Sequence, residues 1–234
     1  MDFLSIYKKI SKKIIKKIHQ DNNSLFKKID KGFGGDISMN IDLIAESIFI
    51  QKLSQYGNIY SEECGFIDNK MGSRFVIDPI DGSFNISNGF PYYGSSIALQ
   101  DKNGKIINSF IINLATGDYF YKDKNRRLEN NLFYNKKRTH SLNDMILFEK
   151  AYANIELCEK LAKNGIKYRS PGALALSLAL ADRCKAVIFR GDIREFDILA
   201  GLHFNSHLNI KIKNDTILIA KNRKDFKYLS KVIF

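Results

Sequence analysis

Two carboxylates three residues apart, Asp78 and Asp81 in "FVIDPIDGS", constrain this chain more tightly than any other feature. The apolar run Phe75–Ile77 reads as a buried strand, and a stiff Pro79 followed by a permissive Gly82 turns the chain at its end. The preceding segment "GNIYSEECGF" reads as a short strand closed by Glu62 and Glu63. Taken alone, each acid has an ordinary explanation: a turn-former before proline, a helix N-cap, two surface charges. Taken together, four acids at the ends of two neighbouring strands repel one another unless cations sit between them.

A divalent metal is the physical answer. Mg²⁺ prefers a few carboxylates together with a carbonyl, waters and a substrate phosphate, and two such ions about 4 Å apart clamp both oxygens of an in-line phosphoryl displacement. The residues after the acids supply what a phosphate needs. Gly82 lets the backbone approach closely, a helix starting near Ser83 points free N–H groups at an anion, and the Ser83 hydroxyl can orient a water.

Elsewhere, Phe3, Tyr7, Ile10, Ile14 and Ile18 recur at helical steps among lysines, which predicts one amphipathic basic helix docked on its own domain. A glycine-rich loop at Gly32–Gly35, a candidate mobile element, precedes a helix expected from about Asn40, with Ile41, Ile44, Ala45, Ile48 and Phe49 as its buried stripe. Alternating stretches between "YYGSSIALQ" and "LENNLFYN" predict antiparallel strands. Beyond about residue 140, strands and helices alternate, which favours a mixed or parallel layer. The expected class is α/β with an α+β first half, divided into an N-terminal subdomain over 1–140 and a C-terminal subdomain over 141–234.

Composition excludes several classes. The chain's 234 residues, 44% of them hydrophobic, suffice for a real core. Cys64, Cys158 and Cys184 have no zinc spacing and fit reduced thiols in a cytoplasm, and no run approaches a membrane span or a cleaved leader. His19, His140, His203 and His207 form no nucleophilic grouping and read as surface or packing residues. There is no GxxxxGK[ST] loop. A net charge of +12 with a pI near 9.5 favours phosphates, yet lysines spread beside abundant Ile and Asn are as well explained by compositional bias. The acids beside Cys64 disfavour a thiolate there.

"DPIDGSFN" resembles the metal-binding motif of the inositol monophosphatase-like, Mg²⁺-dependent phosphatases, and "SEE" upstream and "REFDILAG" downstream match that family's two other acidic motifs in order. The resemblance covers roughly residues 1 to 220 and, with "GGDISMNIDLIAE" and "YRSPGALALSLAL", is similar to the archaeal-type enzymes acting on both fructose 1,6-bisphosphate and inositol monophosphate. It implies a layered αβαβα sandwich, an antiparallel sheet followed by a mixed one. It further implies that Glu62, Asp78 and the Ile80 carbonyl hold one Mg²⁺ and that Asp78, Asp81 and Asp197 hold a second. Ser83, backed by Asp42, would help activate the attacking water, with Glu63 an outer acid nearby. The Gly82 and Ser83 amides would take the phosphate, and Arg169, the backbone of Gly172, Ala173 and Leu174, and Arg190 would contact the substrate. Three departures stand out. The hydroxyl is Ser rather than the more frequent Thr, Arg190 replaces an acid suited to ring hydroxyls and suits a second phosphate instead, and the usual glycine pair after the last motif is missing, so a trimmed C-terminal sheet is expected.

The resulting expectation is a cytoplasmic, homodimeric phosphomonoesterase for a phosphorylated sugar or inositol, with no membrane partner. A 3'-phosphoadenosine 5'-phosphate phosphatase is less favoured, because no base-stacking aromatic lies near the motifs. The rival from another class is a nucleic-acid or transcription-complex binding protein on the same fold, using its charge rather than metals; some bacterial relatives have such a role.

Overall fold

Alternating side chains sort this chain into layers. The computed structural model describes residues 2–20, 23–134 and 142–234. Helices α1 (Phe3–Ile18) and α2 (Asn40–Leu53) bracket a short hairpin of β1 (Lys28–Lys31) and β2 (Ile37–Met39). Six strands and a bridging element follow: β3 (Asn58–Ser61), β4 (Gly65–Ile67), β5 (Arg74–Asp81), β6 (Gly94–Gln100), β7 (Ile106–Asn113) and β8 (Asp118–Lys122), with the short helix α3 (Ser83–Ser87) between β5 and β6. With β9 (Arg127–Asn131) they form a seven-stranded sheet in the order β4-β3-β5-β6-β7-β8-β9.

The second sheet contains β10 (Leu142–Glu149), β11 (Tyr168–Arg169), β12 (Cys184–Arg190), β13 (Asn209–Lys213) and β14 (Thr216–Ala220), ordered β11-β10-β12-β14-β13. It is mixed: β10 runs parallel to both β11 and β12, and β14 is antiparallel to its neighbours. Helices α4 (Ile155–Lys163), α5 (Leu174–Ala179), α6 (Glu195–Phe204) and α7 (Arg223–Ile233) complete the chain.

Strand parity decides which helix meets which face. Phe75 and Ile77 of β5, with Phe110 and Ile112 of β7, face α1 and α2 in one apolar cluster. Val76, Ala98, Ile111 and Phe120 point the other way, onto Ala175, Phe196, Ala200 and Phe204 of α5 and α6. The same two helices bury their far side on Val187, Phe189, Ile217 and Ile219 of the second sheet. Ile146, Phe148, Ile188 and Leu218 cover the opposite face of that sheet, against α4 and α7. The stack is therefore α1α2, sheet, α5α6, sheet, α4α7: the expected αβαβα sandwich.

Helix α1 buries Leu4, Tyr7, Ile10 and Ile14 while Lys9, Lys12, Lys13, Lys16 and Lys17 stay exposed, as its periodicity predicts. Among the described residues, no helix is long and apolar enough to cross a membrane. The boundary expected at residue 140 and the reading of His140 lie outside the described residues. Two local expectations need correction. The first sheet is antiparallel except at β3–β5, which is parallel, because β4, antiparallel to β3 on its other side, returns the chain to the end from which β3 set out. And β5 continues through Asp81 rather than turning after Ile77, its pairing with β6 slipping between Asp78 and Asp81.

Candidate active site

The parallel β3–β5 pair brings two acidic motifs to the same end of the sheet. Ser61 pairs with Ile77, so Glu62, just past β3, lies beside Asp78 on β5. The third acid crosses from the second half of the chain. Asp197 sits in the first turn of α6, whose start is fastened to the first sheet by Ser96 Oγ donating to the Phe196 carbonyl (2.8 Å) and by an Arg74–Glu195 ion pair (2.8 Å). Glu62, Asp78 and Asp197 each offer a carboxylate oxygen within 4.8 Å of the others. Asp78 is buried, and its Oδ1 has no hydrogen-bond partner. Asp81 lines the same cavity of about 340 Å³, with Oδ2 accepting from the Leu176 N–H at 3.1 Å.

Crowding and burial move these groups far from their ordinary values. Burial, and then Asp197, pushes the Glu62 carboxyl up to about 8. Asp81 is pushed up to about 8 by burial, against the pull of the Leu176 N–H. Asp78 is held well above the usual carboxylate range by burial and by Glu62, Asp81 and Asp197. Such a set holds its charge only beside a cation. Arg194, three residues before Asp197, provides one. It donates to Asp197 through Nε (2.8 Å) and Nη2 (3.2 Å), and through Nη1 it meets Glu62 (3.0 Å), Asp36 (2.7 Å) and the Gly34 carbonyl (3.0 Å). The glycine loop is thereby drawn over the acids, where Gly34 N–H donates to the Glu62 carbonyl (2.7 Å) and Phe33 N–H to that of Glu63 (2.9 Å).

At the cavity floor, Ser83 Oγ lies 2.8 Å from Asp42 Oδ1 and 3.0 Å from the Ile80 carbonyl. Asp42 Oδ2 accepts from the Met39 N–H at 2.6 Å, so this carboxylate is fixed from both sides. Burial raises the Asp42 carboxyl, while Met39 and Ser83 lower it. Glu63 accepts from Ser38 Oγ at the cavity edge. Gly82 caps α3 in the left-handed region (φ +90°), and a Cβ there would come within 3.1 Å of Ala173 Cβ and the Tyr92 carbonyl and 3.2 Å of the Gly172 carbonyl, so any other residue would be strained and crowded.

The expected substrate contacts divide. Gly172 and Leu174 line a second, smaller cavity that shares Asp81, Gly82, Arg194 and Asp197 with the first. The amides of Gly172 and Ala173, however, already donate to buried Glu149, at 2.9 and 3.4 Å. Arg169 lies apart, exposed on β11, donating to the carbonyl of Tyr168 (2.9 Å) beside Asp144 and Met145. Arg190 also points away. On β12 it shares parity with Ile188, on the α4/α7 face, and its guanidinium binds Thr216 Oγ1 (2.9 Å) and the Ile233 carbonyl (3.2 Å).

Sequence reasoning missed Arg194, although it stands inside the "REFDILAG" motif, where a cation beside an acid was the available signal. It also missed Asn85, whose buried side-chain amide ties α3 to the carbonyls of Tyr92 (2.7 Å) and Pro171 (2.8 Å). His19, His203 and His207 all lie outside the cavity, hydrogen-bonded to Ile15, Ser109 and Asp182.

A family model described as the inositol monophosphatase family matches residues 3–203. The chain is 31% identical over 178 residues to a fructose-1,6-bisphosphatase/inositol-1-monophosphatase of Methanocaldococcus jannaschii, covering 72% of this chain and 69% of that protein. Two shorter matches span 34% of a fructose-1,6-bisphosphatase of Pyrococcus furiosus and 25% of a bifunctional NADP phosphatase/NAD kinase of Methanococcus maripaludis, at 34% and 30% identity over 37% and 53% of this chain. A Nus factor SuhB of Xylella fastidiosa is 27% identical over 71% of this chain and 65% of that one. The fold superposes on a solved inositol monophosphatase-fructose 1,6-bisphosphatase with a TM-score of 0.80 and 24% identity over 99% of this chain and 100% of the other. With its three acidic motifs brought together and most of its length matched, the chain belongs to the inositol monophosphatase family, a family of phosphatases.

Proposed function

We propose that this chain is a Mg²⁺-dependent phosphomonoesterase for a sugar phosphate, with fructose 1,6-bisphosphate and inositol 1-phosphate as its candidate substrates. The carrying observation is the convergence of Glu62, Asp78 and Asp197 from three elements around a buried Asp78 oxygen that has no partner. Hard, all-oxygen donors in that number fit Mg²⁺ better than softer metals. Glu62, Asp78 and the Ile80 carbonyl would hold one ion, and Asp78, Asp81 and Asp197 a second. Bound there, the cations would neutralise the carboxylates, make a water more acidic and stabilise charge on the phosphoryl and leaving oxygens.

This chain's own groups do the positioning. Ser83 Oγ, with Asp42 accepting its proton, turns its lone pairs toward the cavity and orients a water for in-line attack. Gly82 and Ser83 offer backbone N–H groups to the phosphate. Glu63 is an outer acid beside that water, held by Ser38. The proposal includes two subdomains, 1–140 carrying the first motifs and 141–234 supplying Asp197, and a cytoplasmic homodimer. A phosphate-release screen over a panel of phosphomonoesters, run with Mg²⁺ and with EDTA, tests it. Mg²⁺-dependent release abolished by EDTA is the expected result; no release, or release that ignores EDTA, refutes it.

The relative named a Nus factor, together with the +12 charge, favours one second reading, a transcription-complex or nucleic-acid partner. RNA binding that is salt-sensitive and survives Asp81→Asn would support it.

A further inference from the structure

With Arg169 and Arg190 both turned away, the question is which cation faces the part of a substrate remote from its scissile phosphate. The smaller cavity, about 160 Å³, opens from the acidic one and is lined by Glu149, Lys150, Tyr152, Gly172, Leu174 and Phe189 besides the shared residues. It is too small for a whole drug-sized ligand, so it suits one arm of a substrate whose phosphate sits among the carboxylates. Its two cations differ. Arg194 is fully committed to Glu62, Asp197, Asp36 and the Gly34 carbonyl. Lys150 is half-buried, and among the described residues no carboxylate lies within ion-pair distance of it.

The chain holds Lys150 in place deliberately. Its backbone adopts the left-handed region (φ 56°), a conformation that costs a non-glycine residue energy and that the surroundings must enforce. The enforcement is visible: the Lys150 carbonyl accepts from Ala153 N–H (3.1 Å) and Asn154 Nδ2 (2.9 Å), and the same Asn154 amide reaches the Arg190 carbonyl (3.0 Å). The side chain runs over Phe189, with Nζ 5.7 Å from the ring centroid, and a Cβ at Gly191 would come within 3.2 Å of its Cδ. Glu149 does not neutralise it, being spent on Gly172, Ala173 and Ser177, and Lys150 reaches Asp197 only through its field, which helps to lower that carboxyl.

We infer that Lys150 binds a second anionic group on the leaving-alcohol side of the substrate, making this cavity selective for doubly anionic esters. The inference rests on the proposed phosphatase reading and names its substrate class. That anion is a sugar phosphate or a dinucleotide pyrophosphate, which share the chemistry an ammonium recognises.

The test measures kcat/KM for fructose 1,6-bisphosphate, NADP and inositol 1-phosphate, the last lacking a second anion. In Lys150→Met, the ratio of a doubly anionic ester to inositol 1-phosphate should fall about ten-fold or more, the scale of a lost charged hydrogen bond. Lys150→Arg should keep the ratio within about three-fold of the parent, since the charge survives. A fall confined to fructose 1,6-bisphosphate identifies a sugar phosphate, and one confined to NADP a pyrophosphate; either supports the inference. An unchanged ratio in Lys150→Met, or an equal fall in Arg190→Ala, overturns it. Should Lys150→Met not fold, added KCl decides the question in the parent protein: the ratio should drop as salt screens the pair, and a salt-independent ratio overturns the inference. Failure of the parent to release phosphate from any of the three esters would instead refute the phosphatase reading beneath it.

Discussion

Replacing Arg194 by Met keeps the side chain's bulk and removes the charge that lies among the acids. Its contacts set the cost. Asp197 and Glu62 are 8% and 12% exposed at the side chain, so they lose a buried partner, whereas Asp36 is 75% exposed and contributes little. Removing one partner of a buried ion pair typically costs 3–5 kcal/mol. Part of that is recovered here, because Glu62, already pushed up to about 8, can take a proton instead of remaining a bare anion. The expected loss is about 3 kcal/mol at neutral pH in EDTA, read as a shifted urea midpoint at unchanged slope. Mg²⁺ bound to the same carboxylates should restore at least half of it, and should stabilise the variant more than the parent, where the guanidinium competes for Glu62 and Asp197. A loss under about 1 kcal/mol in EDTA, or equal losses with and without Mg²⁺, would refute the idea that Arg194 serves as the counter-charge of this site.

Three further outcomes are expected. Asp78→Asn should lower turnover by about two orders of magnitude or more while leaving the metal-free protein at least as stable in urea, because it removes a buried carboxylate that is crowded by Glu62, Asp81 and Asp197 and has one oxygen without a hydrogen-bond partner; parent-like turnover would end the metal reading. Ser83→Ala should reduce kcat about ten-fold or more and move KM less than about three-fold, as befits a group that orients water alone; steady-state kinetics on any hydrolysed ester decide it. Burial, then Lys122, pushes His203 down to about 4. Below its ordinary value near 6.5 the unfolded chain binds a proton that the folded chain refuses, so stability falls as pH drops from 6.5 toward 4. Discounted for partial exposure, His203 should account for about 1 kcal/mol of loss between pH 6.5 and 5, absent in His203→Gln.

The acids and the layers were legible because each rests on a local pattern. Glu62, Asp78 and Asp81 follow short apolar strands, and the switch from strand runs to strand–helix alternation announced the two sheets. What the local pattern does not carry depends on parity or on distant partners. Arg190 looked like a ligand from its spacing to Asp197, yet one step of strand alternation separates it from Phe189 and sends it to the α7 face. The Gly172 and Ala173 amides looked free because nothing nearby in the chain reveals Glu149, more than twenty residues upstream, as their acceptor. The hairpin of β1 and β2 hid behind a glycine loop that reads as mere flexibility.

The carboxylates of this site disfavour its own assembly, and the fold holds them together by spreading the opposition across both halves. Glu62 and Asp78 are neighbours only because β3 and β5 run parallel, and Asp197 joins them only because α6 is pressed onto the first sheet through Phe196, Ala200 and Phe204. That apolar contact favours the same approach the charges resist. The first turn of α6 carries both Asp197 and, at its cap, Arg194, so the element that brings the third negative charge also brings the positive one. Helix α6 therefore cannot dock without delivering its own counter-charge. A cation entering the cavity meets carboxylates already held at short range by packing and by a guanidinium that must share them, which makes the affinity of the site a property of the contact between the two sheets as much as of the acids themselves.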